Sequence, residues 1–200
     1  MVSYNSLIIR PSLPTTVPTL MTDRMFSPWR SEYVAAAADR PVPSEGEASL
    51  FAHLEAEQQD EENLILWRGE HVFVIMNRYP YNNGHLLIVP YREVTAYEDL
   101  RPAEQMAMAR TIERCIRWLR HALDPEGFNV GLNLGEASGA GVPEHLHMHV
   151  VPRWGGDTNF MTTTGDMRVI PEALRVTYRK LSAAIEAVGA LPTGDESDAA

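Results

Sequence analysis

A chain of 200 residues, 44% of them hydrophobic, can bury one core, so wholesale disorder is excluded and one folded domain is expected. Its 27 acidic residues outnumber 17 Lys and Arg, a formal net charge of -10, which argues against a general nucleic-acid binder and an anionic-membrane partner. A polyanionic substrate is disfavoured on the same ground unless the charge is unevenly spread. Cys115 stands alone, which excludes an intramolecular disulfide and a cysteine-rich zinc site and fits a reducing compartment. No apolar run reaches the roughly 18 residues that span a bilayer. The N-terminus lacks the apolar core of about 7–15 residues of a secretory signal, so a cytoplasmic location is expected.

In chain order, residues 1–25 read as a disordered leader, with Met1, Met21 and Met25 all open as the start. Residues 26–47 read as an N-terminal docking segment and linker, residues 48–190 as the folded domain, and 191–200 as a disordered acidic tail. A short helix is expected over Ala48–Gln59. Leu64–Arg68 and His71–Asn77 are β-rich runs separated by Gly69-Glu70, which predicts a hairpin. Tyr79 to Gly84 is turn chemistry, and His85–Val89 reads as a strand covered on both faces. Pro102–Leu123 carries apolar residues at helical spacing, with Pro102 suited to a first turn. Phe128–Leu134 alternates as a strand does, and Gly135–Gly141 (GEASGAG) is a glycine-rich loop. His145–Val151 is expected as a strand, and Pro171–Val188 as a last amphipathic helix with Leu174, Tyr178, Leu181 and Ile185 on one stripe. Hairpin-joined strands with helices between them predict an α+β domain on an antiparallel sheet.

The segment His145-Leu146-His147-Met148-His149 carries the chemistry. Side chains on a strand alternate, so His145, His147 and His149 would line one face and Leu146, Met148 and Val150 the other. One histidine on a strand is ordinarily structural, but three in register beside a glycine-rich loop indicate a site. Two chemistries suit the row. Imidazoles two residues apart can share a metal ion, with His85 as a further ligand, whereas Glu144 has the wrong parity. Alternatively, a neutral imidazole, with an ordinary pKa of about 6.5, can attack phosphorus and form a phosphoramidate. Its histidine neighbours and the N–H groups of the loop would then hold the non-bridging oxygens.

The stretch His-Leu-His-Met-His-Val-Val-Pro resembles the signature of the histidine triad (HIT) superfamily. Likeness extends over 26–188 and is strongest at Asn77–Pro90 and Gly131–Met161. Ser27-Pro28-Trp29-Arg30, Tyr33 and the run Pro152–Met161 are similar to a bacterial branch that includes diadenosine tetraphosphate phosphorylases, with fragile-histidine-triad hydrolases as relatives. The resemblance implies an α+β fold, an antiparallel sheet of about five strands with helices packed on it, and a homodimer or higher homo-oligomer. It implies an enzyme of nucleotidyltransferase chemistry that cleaves the α-phosphate anhydride of adenylylated nucleotides, above all a dinucleoside polyphosphate, by hydrolysis or phosphorolysis. His147 would be the nucleophile that becomes nucleotidyl-histidine, with His149 on the phosphate oxygens and His145 orienting the row. Asn77, His85 and Asn133 match nucleotide-site positions, and Gly139 and Gly141 belong to the phosphate loop. The covalent step would need no cofactor, and any divalent cation would arrive with the substrate.

Two departures stand out. Where many HIT proteins carry Gln, Ser or Thr ahead of the first histidine, this chain has Gly141 and Val142, with Ser138 the nearest hydroxyl. Leaving-group protonation is thereby opened to question. A nucleotide-binding interaction protein with vestigial catalysis is the alternative, and a hydrolase of other adenylyl conjugates a variant of the first reading. Bacterial relatives hold a structural zinc, but three of its four ligand positions are here Ser49, Ala52 and Glu93, so none is expected despite the nearby His53.

The charge proves unevenly spread. Ten acids lie in 45–62 and in the tail, stretches without Lys or Arg, and the rest of the chain balances at 17 acids against 17 bases. A neutral core can hold one phosphate locally, so a small polyphosphate is no longer disfavoured.

Overall fold

The computed structural model describes residues 48–157 and 172–189. The expected leader, docking segment and acidic tail, and the run 158–161, lie outside the described residues. Helix α1 (Leu50–Ala56) and the short α2 (Asp60–Asn63) precede strands β1 (Ile65–Arg68), β2 (Val72–Met76) and β3 (Leu86–Pro90). Helix α3 (Pro102–Leu123), strands β4 (Gly127–Leu132) and β5 (Met148–Arg153) and helix α4 (Leu174–Gly189) follow. The strands form one antiparallel sheet in the order β1-β2-β3-β5-β4, an α+β fold.

The Gly69-Glu70 hairpin is present, closed by the Gly69 N–H on the Val72 carbonyl at 2.8 Å. Leu64 does not belong to it: it sits at φ 63° as the left-handed cap of α2. The single helix expected over 48–59 is shorter, because Ser49 caps its start and Gln58, at φ 54°, breaks the chain before α2. Every residue of β2 and β3 is buried, as expected of central strands. Before β3, Gly84 has φ +76°, and a Cβ there would lie 2.5 Å from the Leu123 side chain. Only glycine allows the turn to pass so close to the end of α3.

Helix α3 spans the expected residues, and its Met108, Cys115, Trp118 and Leu119 enter the core. Leu181 of α4 joins them. The acidic stretch before β1 is partly compensated, since Arg68 hydrogen-bonds Asp60, the Glu55 carboxylate and the Glu55 carbonyl. Among the described residues no helix is long and apolar enough to cross a membrane.

The triad strand differs from expectation. Regular pairing begins at Met148, so His145 and His147 lie in an arm before β5 and only His149 is in the ladder. Continuing the register would set Leu146 opposite Pro90, which has no N–H to give. Instead the Leu146 N–H bonds the Val94 carbonyl at 2.7 Å, and the Pro90 carbonyl receives the His145 ring.

Candidate active site

Cross-strand register builds the floor of the site. Ile75, Leu87, His149 and Gly131 are successive partners across β2, β3, β5 and β4, so they share one face of the sheet. Two apolar side chains, one imidazole and one glycine result, and the space beside Gly131 is open. Helix α1 covers the apolar end, and Phe51 packs against the rings of His145 and His147 at 5.8 and 5.0 Å. The resulting cavity has an apolar wall of Leu50, Phe51, Leu54, Leu64, Ile75 and Leu87. Asn77, Arg78, Tyr79, Gly141, His147 and His149 bring its polar atoms and mouth.

The hydrogen bonds assign a tautomer to each imidazole. His147 Nδ1 lies 2.8 Å from the His145 carbonyl oxygen, which can only accept. Nδ1 therefore carries the proton, and the Nε2 lone pair is free. His145 has the opposite tautomer: Nε2–H donates to the Pro90 carbonyl at 2.8 Å, so Nδ1 accepts the Ser49 hydroxyl at 2.6 Å. His85 Nδ1 accepts the Tyr81 backbone N–H at 3.1 Å, which leaves the proton on Nε2. That Nε2–H donates to His149 Nδ1 at 2.9 Å. His149 consequently carries its proton on Nε2, as a donor. The Asn133 amide nitrogen lies 3.4 Å from this nitrogen, and turning the amide over brings its oxygen there to accept the His149 N–H.

Burial holds all four rings neutral. Desolvation lowers the pKa of His145 and His147, takes His85 well below its ordinary value with help from the neighbouring His149 and His147, and pushes His149 down to about 4. The arrangement thus pairs a free-base nitrogen with an N–H donor on the adjacent ring, whose centroid is 4.9 Å away. It can attack an electrophilic phosphorus and stabilise charge on that phosphorus's oxygens.

The other sequence candidates fall into groups. Asn77 lines the cavity; its Oδ1 accepts the Tyr79 N–H at 2.9 Å and its Nδ2 approaches His85 Nδ1 at 3.3 Å. His85 is fully buried behind His149 and outside the cavity lining, so its influence passes through His149. Gly141 and Val142 line the cavity, whereas Gly139, at φ +77°, lies outside the lining. The Ser138 hydroxyl is turned into its own loop, donating to the Gly135 carbonyl at 2.7 Å. Arg153 ties Asp157 to Asn129, and Trp154 Nε1–H donates to the Asp124 carbonyl, bracing the far end of β5.

Ser49, Phe51 and Tyr81 carry functional contacts that sequence reading missed. Tyr81 stacks on His149 with ring planes 12° apart. Ser49 has the signal of a helix cap, but nothing near it in sequence points to His145. The four positions that the resemblance marks as zinc ligands do meet in space: Ser49 bonds His145, the Ser49 N–H donates to Glu93 at 3.1 Å, and the Ala52 N–H donates to the Ser49 hydroxyl. A hydroxyl and an alanine at two of these positions do not fit a thiolate-held zinc.

Known proteins resemble this chain in sequence and in fold. The family model described as HIT domain matches residues 58–156. A protein named AP-4-A phosphorylase from Mycobacterium tuberculosis is 44% identical over 160 residues, 80% of this chain and 82% of that one. A bis(5'-adenosyl)-triphosphatase from Saccharomyces cerevisiae is 30% identical over 91 residues, 45% of this chain and 44% of that one. The crystal structure of a zinc-bound histidine triad family protein from Mycobacterium smegmatis superposes with a TM-score of 0.59 at 26% identity, covering 71% of this chain and 96% of that one.

Proposed function

Because the chain belongs to the HIT family, we propose that it is a nucleotidyltransferase that cleaves dinucleoside polyphosphates such as diadenosine tetraphosphate through a covalent intermediate on His147. The observation that carries this reading is the His147–His145 bond, which leaves a neutral Nε2 lone pair at the cavity beside the His149 N–H. The apolar wall suits a purine base, and Asn77 stands at the polar end for a ribose. His147 Nε2 attacks the α-phosphorus, a P–N bond forms, the α–β bridging bond breaks, and ATP departs. An oxygen of inorganic phosphate then attacks the same phosphorus, the P–N bond breaks, ADP is released, and His147 is regenerated. Water in place of phosphate gives AMP.

Gly141 and Val142 offer no side-chain acid, and the Ser138 hydroxyl is occupied. A polyphosphate leaves as an anion that is stable near neutral pH, so it needs less protonation than an alkoxide or amine. The missing hydroxyl therefore favours a phosphoanhydride substrate over other adenylyl conjugates. No cofactor takes part, any divalent cation arrives with the substrate, and no structural zinc is held, since Ser49 and Ala52 offer no thiolates.

The test is turnover of diadenosine tetraphosphate with and without phosphate. ADP that appears only with phosphate supports phosphorolysis, and AMP in both arms supports hydrolysis. Tight AMP binding without turnover would instead support a binding protein.

We propose a homodimer, which an open sheet edge supports. Among the described residues strand β4 pairs with β5 alone, and Val130 is 43% exposed on it. Such an edge is normally covered, and a second copy is the cover we propose. Light scattering on the full chain should give twice the monomer mass. The buried, reduced Cys115 is consistent with a cytoplasmic location.

A further inference from the structure

Ser49 begins α1, and its side chain is fully buried against a histidine 96 residues away. An N-cap needs only an acceptor oxygen. Here that oxygen accepts the Ala52 N–H at 3.2 Å, so the helix uses one side of the hydroxyl. Its hydrogen is used as well. His145 Nε2–H is committed to the Pro90 carbonyl, so His145 Nδ1 presents a lone pair and the Ser49 O–H donates to it at 2.6 Å. The Ser49 N–H reaches Glu93 at 3.1 Å. One residue thereby joins α1, the segment after β3 and the arm that precedes β5.

That arm lies outside the ladder, which starts only at Met148, and apart from Ser49 it is held by the Leu146 N–H on the Val94 carbonyl and the His145 ring on the Pro90 carbonyl. The His145 carbonyl that accepts His147 Nδ1–H belongs to it. We propose that Ser49 is a positioning residue for the nucleophile, acting through His145. By occupying both nitrogens together with Pro90, it pins the His145 ring and keeps that residue's carbonyl where it fixes the His147 tautomer. Helix α1 also contributes Leu50, Phe51 and Leu54 to the cavity wall. The same joint therefore sets where a bound base lies relative to the reacting nitrogen. The catalytic part of this role rests on the reading of His147 as the nucleophile; the tautomer part does not.

The experiment uses the full chain, uniformly labelled with nitrogen-15. Long-range proton–nitrogen correlation reads each imidazole tautomer, and diadenosine tetraphosphate with phosphate reads kcat and KM. In the unaltered protein, His147 should be protonated at Nδ1 and His145 at Nε2. Ser49→Ala should mix the His147 tautomers and lower kcat roughly 10–100-fold with KM little changed, by analogy with the loss when an outer partner of a metal-bound imidazole is removed. Ser49→Thr, which keeps the hydroxyl, should recover most of kcat. Should Ser49→Ala fail to fold, Ser49→Cys supplies a weaker donor of similar size and should show the same shift in smaller measure.

A variant that melts earlier but keeps the His147 tautomer and kcat would overturn the proposal and leave Ser49 a helix cap only. An unaltered protein inert toward diadenosine tetraphosphate would overturn the nucleotide reading instead. The tautomer pattern tests Ser49 without any turnover.

Discussion

His147 donates its Nδ1 proton to the backbone carbonyl of His145 across 2.8 Å, and this bond leaves Nε2 unprotonated at the cavity. Under the proposed mechanism, the central imidazole can then act as nucleophile without an adjacent base to deprotonate it. The carbonyl is a fixed dipole, so no proton needs to be removed from His147 before attack.

Replacing that imidazole removes the atom proposed to form the bond to phosphorus. His147→Ala or His147→Asn should lose turnover of diadenosine tetraphosphate by several orders of magnitude, because no other group replaces a covalent nucleophile. AMP binding should persist, since the apolar wall and Asn77 remain. Single-turnover kinetics and calorimetric titration with AMP check both halves.

His85 sets the direction of the second donor. Without it, His149 Nδ1 loses its donor and the His149 proton is free to move from Nε2 to Nδ1. His85→Ala should lower kcat roughly 10–100-fold while KM changes little. The same change in KM and kcat would indicate that His85 shapes binding instead.

The four neutral rings predict a particular pH dependence of activity. A nucleophile whose pKa is lowered by burial stays free base below the ordinary imidazole value of about 6.5. The acid limb of kcat/KM should therefore fall below that pH, not at it. A limb centred on the unperturbed value would show a solvent-exposed His147.

The same burial acts on stability, with a definite sign. Each imidazole has a lower pKa folded than unfolded, so in the window between them the unfolded chain binds more protons. Their neutral-ring stability is fully present above about pH 6.5 and is lost as pH falls, down to about 4 for His149. Each ring contributes a slope of at most about 1.4 kcal/mol per pH unit. Denaturant midpoints between pH 7 and pH 5 should fall, and His149→Asn should flatten the decline.

Arg68 links β1 to α1 and α2 through Asp60 and Glu55. Arg68→Met keeps much of the stem and removes these bonds. A loss of about 1–2 kcal/mol is expected, discounted for partial exposure. Catalysis should change little at saturating substrate, and chemical denaturation against an activity assay separates the two.

Local pattern carried much of this molecule. Helical spacing and Pro102 located α3 to the residue, the Gly69-Glu70 pair located the hairpin, and continuous apolarity marked β3 as a central strand. Each depends on neighbours within a few positions, so a one-dimensional reading suffices. Errors came where a left-handed helix cap or a distant partner intervened. Leu64 leaves its strand to cap α2, and β5 starts late because Pro90 cannot donate to the ladder.

By itself, the sequence determined the α+β class, the row of three histidines and membership of the family. Tertiary structure alone decided which nitrogen of each histidine carries the proton. An imidazole is donor or acceptor according to which group meets each nitrogen, and those groups arrive from far along the chain. Ser49 is 96 residues from His145, Pro90 is 55, and His85 is 64 from His149. No spacing rule encodes such meetings, because they depend on sheet order and on where the ladder begins.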